Sequence, residues 1–322
     1  MKRTGCIGKG FTEGKAFRDF INALLKARYA GTKGLLRKNE PEIIAGNITA
    51  LMEDKDNFGF FTSNGKGRID GVIVVSVLKW DNAILGRVMA KAVLWGDISA
   101  GGNKAASLLS LAEEEAGRRG VGYFSLDAYA TEGYALGALA RRGYILEESK
   151  WKMTRDMAAY KTNGRVPGVR EYAPGDKKSV AKIAYSDYSN RYLDNPFLES
   201  GKVRTLYAEW AGNCCSGRSD KVFVSSSGGG ITGFIACNLD KRGSRAPGER
   251  TGIIDLIVLD RCSRGKKTGQ ALIKKGLDWF KENADIVKLE VAVNKFPAAA
   301  IYIKHGFRPQ ALFHVFSRRV RR

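Results

Sequence analysis

One fixed offset lays a long stretch of this chain over another. The offset that carries Asp97 onto Asp260 also carries Gly102 onto Gly265, Lys104 onto Lys267 and Leu109 onto Leu272. Further on it sets Leu126 on Leu289, Ala135 on Ala298, Gly143 on Gly306 and Tyr144 on Phe307. Strand-like, turn and helix-like segments stay in step throughout, which reads as two diverged copies of one domain. A chain of 322 residues is long enough to bury two cores.

The local patterns agree with that reading. In the second half, a short strand at 169–172 precedes helical periodicity over 177–194 and 202–214. A hairpin follows at 222–238, then a polar loop at 243–250, a strand at 253–259 and a helix to Phe280. A strand at 288–293, a helix at 297–304 and a final strand from Phe307 complete the copy. The first half shows helices at 16–29 and 40–52, strands at 58–62, 71–78 and 87–98, and a helix at 105–119. A strand at 123–128, a helix at 132–142 and a strand at 145–157 close it. The expected organisation is an N-terminal domain at 1–160, a Gly- and Pro-containing linker at 161–168, and a C-terminal domain at 169–322. The fold class is α/β, each domain a twisted, mostly antiparallel sheet flanked by helices.

Charge and cysteine usage narrow the function classes. The net charge of +21 suits a polyanionic ligand, a nucleic acid or an acidic surface, but the basic residues are spread along the chain. Only the tail, Arg318, Arg319, Arg321 and Arg322, is a cluster, so a solvated basic surface is the plainest reading. Five cysteines, Cys6, Cys214, Cys215, Cys237 and Cys262, show no CxxC spacing. They read as reduced thiols of a cytoplasmic protein. With only His305 and His314 present, no zinc site is expected. No apolar run reaches the length of a membrane span, and the basic start lacks the apolar core of a secretory signal.

The chemistry concentrates at residues 264–269. Arg264, Gly265, Lys266, Lys267, Thr268 and Gly269 follow an apolar strand and open a helix. Free N–H groups at a helix start, its dipole and three cationic side chains together make a pocket for a pyrophosphate. Beyond the next strand come Asn294, Ala299 and Tyr302. Asn294 is placed either to bond a ligand or to cap the following helix. Tyr302 is placed either to donate a proton or to pack between helix and sheet.

These two blocks resemble the GNAT superfamily of acetyl-CoA-dependent N-acetyltransferases. The turn corresponds to the family's Gln/Arg-x-x-Gly-x-Gly/Ala motif, with Lys267 in place of the first glycine. Residues 294–307 resemble its Asn-x-x-Ala…Tyr-x-x-x-Gly-Phe block. The resemblance implies acetyl-CoA as cofactor, held by residues 264–269, by the backbone of Leu256, Ile257 and Val258, and by Asn294 and Ala299. It implies Tyr302 as the acid that protonates the departing thiolate, assisted by Asn294. The first copy has Gly101, Thr131 and Leu139 at the positions of Arg264, Asn294 and Tyr302. It is expected to be a degenerate copy that supports the catalytic C-terminal one. Its turn at Gly101, Gly102, Asn103 and Lys104 is an alternative site for a phosphate.

Residues 78–86, 191–197, 207–210 and Asn213 are similar to segments of TDP-fucosamine N-acetyltransferases, over roughly residues 75–322. That similarity implies a nucleotide-linked amino sugar as the amine acceptor. Trp80, Phe197 and Trp210 read equally as core aromatics. The group that accepts the acceptor's proton is open among Tyr185, Asp187, Asp194 and His314, and Trp210 joins them as a substrate contact. Two alternatives stand beside this reading. One is a tandem GNAT enzyme of the mycothiol-synthase kind acting on another small amine. The other is a non-catalytic basic module for nucleic acid, which lacks any nucleic-acid motif. A membrane partner is not expected, and a homodimer is one assembly compatible with the sequence.

Overall fold

Period-two apolar patterns in the strands and three-four spacing in the helices give each half of the chain a sheet covered on both faces. The computed structural model describes residues 3–8, 10–28, 40–96, 102–162, 164, 166–240 and 250–320. The chain divides into two units, Met1–Lys150 with Ala311–Arg322, and Trp151–Gln310.

The first unit runs β1 (Arg3–Cys6), α1 (Lys15–Arg28), α2 (Glu40–Met52), β2 (Phe58–Ser63), β3 (Ile69–Val77), α3 (Lys79–Leu85), β4 (Met89–Gly96), α4 (Gly102–Arg118), β5 (Tyr123–Tyr129) and α5 (Gly133–Arg141). The unit boundary falls within β6 (Ile145–Asp156). Strands β1 to β4 pair antiparallel in order, and β4 pairs parallel with β5. Leu108, Leu109, Ala112 and Ala116 of α4 bury against Ile73, Val75, Ala92 and Leu126 on one face. Phe17, Ile21, Leu24 and Leu25 of α1 bury against Val72 and Val74 on the other.

The second unit continues with β7 (Val169–Glu171), α6 (Lys177–Asp187), α7 (Ser200–Asn213), β8 (Lys221–Ser227), β9 (Gly230–Leu239), β10 (Thr251–Leu259), α8 (Thr268–Asn283), β11 (Ile286–Ala292) and α9 (Phe296–Lys304). The second boundary falls within β12 (Arg308–Arg319). Its sheet has the order β7-β8-β9-β10-β11-β6. Pairing is antiparallel from β7 to β10 and parallel between β10 and β11. Leu272, Ile273, Leu277 and Phe280 of α8 share one stripe and meet Phe223, Ile235, Ile254 and Leu289. Val180, Ile183 and Ala184 of α6 and Ala211 of α7 cover the opposite face, on Val222, Val224, Phe234, Leu256 and Val258.

The unit boundaries differ from the 1–160 and 169–322 division expected from sequence. Met153, Met157 and Tyr160 lie in the second unit's core. The end of β12 pairs with β5, from Phe313↔Tyr129 to Arg319↔Tyr123, and Phe316 enters the first unit's core. Both copies end on a strand of similar pattern, so alternation alone does not say which sheet each closing strand joins. Of the expected linker, residues 163 and 165 lie outside the described residues, as do 241–249 of the polar loop and Arg321 and Arg322 of the basic tail.

Three local differences have plain causes. The helix expected over 177–194 stops at Asp187, because Tyr188 turns extended at φ −79 and ψ 117. Asn190 and Asn195 then accept from the backbone N–H of Tyr192 and Phe197, forming side-chain turns that compete with a helix. The segment containing Trp80 forms α3, which ends on Gly86 at φ 66. β1 is a four-residue edge strand with too short a pattern to stand out. No helix among the described residues is long and apolar enough to cross a membrane.

Candidate active site

The second unit opens its own sheet at one place. β10 and β11 pair through Thr251↔Ile286, Gly252↔Val287 and Ile253↔Lys288. Among the described residues they pair no further, although β10 continues to Leu259 and β11 to Ala292. At the same level β10 carries an irregularity against β9: Cys237 faces Ile254, Ala236 faces Leu256, and Asp255 has no opposite number. A bulge bends a strand and increases its local twist. The backbone edge of Leu256, Ile257 and Val258 that faces β11 is therefore open to another extended chain.

Beyond Leu259 the chain makes a short turn and starts α8. Asp260 accepts from Cys262 N at 2.7 Å, which fixes the exit from the strand. Gly265 takes φ 77 and Lys267 takes φ 63, ψ 4, the one non-glycine residue with positive φ among the described residues. Holding Lys267 there costs about 1–2 kcal/mol relative to glycine. Lys267 is also the N-cap residue of α8, and no side chain caps the helix. The first-turn N–H groups at Thr268 and Gly269 thus have no capping side chain among the described residues, and the positive end of the dipole lies behind them. Lys266 and Lys267 are exposed beside them and have no partner among the described residues. Gly269 brings α8 close to the strand: a Cβ there would stand 3.3 Å from Leu259 Cδ1. The arrangement can hold a diphosphate at the helix start and an amide-bearing chain along β10.

Arg264, expected to face the phosphate, donates through Nη2 to the Asp187 carbonyl at 2.8 Å. It ties the turn to the end of α6. Arg261 Nε stands 3.7 Å from Asp187 Oδ1, and Lys295 Nζ donates to Ser189 Oγ at 2.8 Å. The segment after α6 is thus fastened to both ends of the opening.

Asn294 is exposed and has no hydrogen-bond partner among the described residues. It does not cap α9, whose N-cap residue is Lys295. Ala299 is half-buried against the core. Tyr302 is 5% exposed and packs edge-on to Phe307 with ring centroids 5.8 Å apart. Its hydroxyl has no hydrogen-bond partner among the described residues, and burial raises its pKa well above the ordinary phenol value. It stays protonated at neutral pH and can act as a donor.

The remaining sequence candidates scatter. Tyr185 is 43% exposed on α6. Asp194 is exposed on a turn and has no partner among the described residues. Trp210 on α7 donates from Nε1 to Asp255 Oδ2 at 3.2 Å. His314 lies in the first unit, with Nδ1 2.8 Å from Ser149 Oγ. In the first copy, Gly101 lies outside the described residues, as do the side chains of Asn103 and Lys104. Asp255 was missed by sequence reasoning. Its signal was available: it is the lone charge in the apolar run 253–259.

The second unit thus has an open strand edge, an uncapped helix start and a buried phenol on α9. Residues 178–307 match the family model described as Acetyltransferase (GNAT) family. No curated protein sequence matches the chain. Among solved structures, a GCN5-related N-acetyltransferase from Sphaerobacter thermophilus aligns over 100% of this chain and 96% of its own, at 14% identity and TM-score 0.68. A tandem GNAT protein from the clavulanic acid biosynthesis pathway aligns over 100% of this chain and 99% of its own, at 14% identity and TM-score 0.59. The glucosamine N-acetyltransferase region of a fungal multi-domain β-N-acetylglucosaminidase aligns over 99% of this chain and 38% of its own, at 14% identity and TM-score 0.63. At these identities the likeness is one of fold.

Proposed function

We propose that the second unit transfers an acetyl group from acetyl-CoA to a primary amine, carried by a nucleotide-linked amino sugar. The observation that carries the reading is the parting of β10 from β11 directly before an uncapped α8. Acetyl-CoA supplies an activated acetyl thioester when bound. The N–H groups opening α8 and the Lys266 and Lys267 ammonium groups hold its phosphates. The free edge of Leu256, Ile257 and Val258 takes the amide-bearing arm as an added strand would. Asn294, exposed and unpartnered, is available to the same arm. Tyr302 keeps its proton at neutral pH and would give it to the thiolate released as the C–N bond forms and the C–S bond breaks, the proton shed by the nitrogen returning to the phenolate through solvent. Arg264 acts indirectly, by holding the turn against Asp187.

The amino sugar rests on the similarity of residues 78–86, 191–197, 207–210 and Asn213 to TDP-fucosamine N-acetyltransferases. Thiol release from acetyl-CoA, measured with a panel of UDP- and TDP-linked amino sugars, free glucosamine and simple diamines, tests both levels of the reading. Release that depends on a nucleotide-linked amino sugar supports the whole. Release with a diamine alone keeps the chemistry and replaces the acceptor. No amine-dependent release with any member overturns it.

A further inference from the structure

The hydrogen-bond ladders of the two copies show where they part company. In the first unit β3 and β4 pair without interruption, with Val74↔Val93 followed by Val75↔Ala92. In the second, Ala236↔Leu256 is followed by Cys237↔Ile254. The pairs on either side correspond one to one, so Asp255 is the single residue that the second copy has in excess. An extra residue in a strand also turns a side chain to the other face. Ile254 and Ile257 face the core under α8, whereas Leu256 and Val258 face the core under α6 and α7. Asp255 joins Leu256 on that second face, where its Oδ2 accepts from Trp210 Nε1 at 3.2 Å and lies 4.0 Å from Arg218 Nε. Its Oδ1 has no partner among the described residues, and the side chain is 21% exposed. A row of rings leads to it: Tyr188 and Tyr207 have centroids 4.5 Å apart, and Tyr207 and Trp210 5.7 Å.

We propose that Asp255 is the acceptor-binding residue of the second unit and takes the acceptor as its ammonium on Oδ1, beside Trp210. The inference rests on the acetyltransferase reading given above. Ordinary primary amines are protonated at neutral pH, as lysine is. A partly desolvated carboxylate gives such a group a charge-assisted hydrogen bond, and neighbouring aromatic faces attract the same charge. Asp255 sits on the bulge itself, next to Leu256, where the coenzyme edge begins. The carboxylate is presented on the α7 face, opposite to α8. An amine held there approaches the opening from the side that the coenzyme does not occupy, and attacks after its ammonium has released one proton to solvent.

The Trp210 indole N–H reports directly on Asp255 and can be followed by two-dimensional NMR, its signal identified by loss in Trp210→Phe. The probe is glucosamine hydrochloride, added to the full chain saturated with CoA, with glucose at matched salt as the neutral control. The expected result is a saturable shift with glucosamine, none with glucose, and at least tenfold weaker binding of glucosamine to Asp255→Asn. Asparagine keeps an oxygen for Trp210, so that variant should retain its fold. Should it not fold, the comparison of glucosamine with glucose on the unsubstituted chain decides the matter. No shift with glucosamine, an equal shift with glucose, or undiminished binding to folded Asp255→Asn overturns the inference. Titration of acetyl-CoA into the same samples separates the two readings. A chain that does not bind acetyl-CoA overturns the proposed function. A chain that binds it while the indole stays unshifted overturns only the role of Asp255.

Discussion

Tyr302 and Lys267 are residues whose environment and chemistry pull against each other. The Tyr302 ring is buried on Phe307, and burial raises the phenol's pKa, so it keeps its proton at neutral pH. Replacing Tyr302 by phenylalanine should keep the packing on Phe307 and lower kcat by about 100-fold or more at saturating amine, as loss of a general acid does. An unchanged kcat would assign Tyr302 to packing alone. Lys267 pays a backbone cost in its left-handed conformation. Lys267→Gly should raise stability to unfolding by about 1 kcal/mol while weakening acetyl-CoA binding, measured by denaturant melts and calorimetry. A gain in both would show that the ammonium plays no part in binding. Burial pushes the Cys214 thiol up to about 11 and Cys215 to about 12, whereas Cys6 and Cys262 are exposed. Brief alkylation of the native chain near pH 7 should therefore modify Cys6 and Cys262 and spare Cys214 and Cys215, read by mass spectrometry.

At the scale of elements, close packing and one ion pair give the clearest expectations. A Cβ on Gly252 of β10 would run into the Phe280 ring of α8, inside a core with no slack. Gly252→Ala should cost about 1–3 kcal/mol in a thermal or denaturant melt. Where β7 leads into α6, Arg170 donates two bonds to Asp176 at 2.6 and 2.8 Å and holds its carboxyl below the usual carboxylate range. A depressed carboxyl stabilises the fold above its unfolded pKa of about 4, and the contribution is lost as pH falls through the folded value. Asp176→Asn should therefore be less stable than the parent at pH 7, by about 1–2 kcal/mol, with the gap closing in acid. The main elements of both sheets were legible as apolar periodicity, and the turn at 264–269 as a glycine between a strand and a helix. The stop of α6 at Asp187 was not, because asparagine turns at Asn190 and Asn195 interrupt a pattern that still reads as helical. Nor was Asp255: one extra residue in a strand leaves the composition of the run unchanged and shows only as a broken ladder.

For the molecule as a whole, the two copies differ in how far their parallel central strands stay paired. In the first unit β4 and β5 remain paired from Met89↔Tyr123 to Val93↔Asp127, and Lys91 bonds Asp127 at 2.7 Å. β4 carries no bulge against β3, and Leu139 stands where Tyr302 stands in the second copy. We therefore expect one acetyl-CoA per chain in a calorimetric titration. Two sites would show that the first unit also binds coenzyme. The repeat itself was plain in the sequence, while the assignment of the closing strands β6 and β12 was not, since similar patterns suit either sheet. The central claim concerns the opened sheet and its phenol together. Its most direct test is the rate of thiol release from acetyl-CoA, with the amine panel, for the parent chain and Tyr302→Phe side by side. The account predicts amine-dependent release by the parent and a loss of about 100-fold in the variant. Release that ignores the amine, or that survives the substitution undiminished, would contradict it.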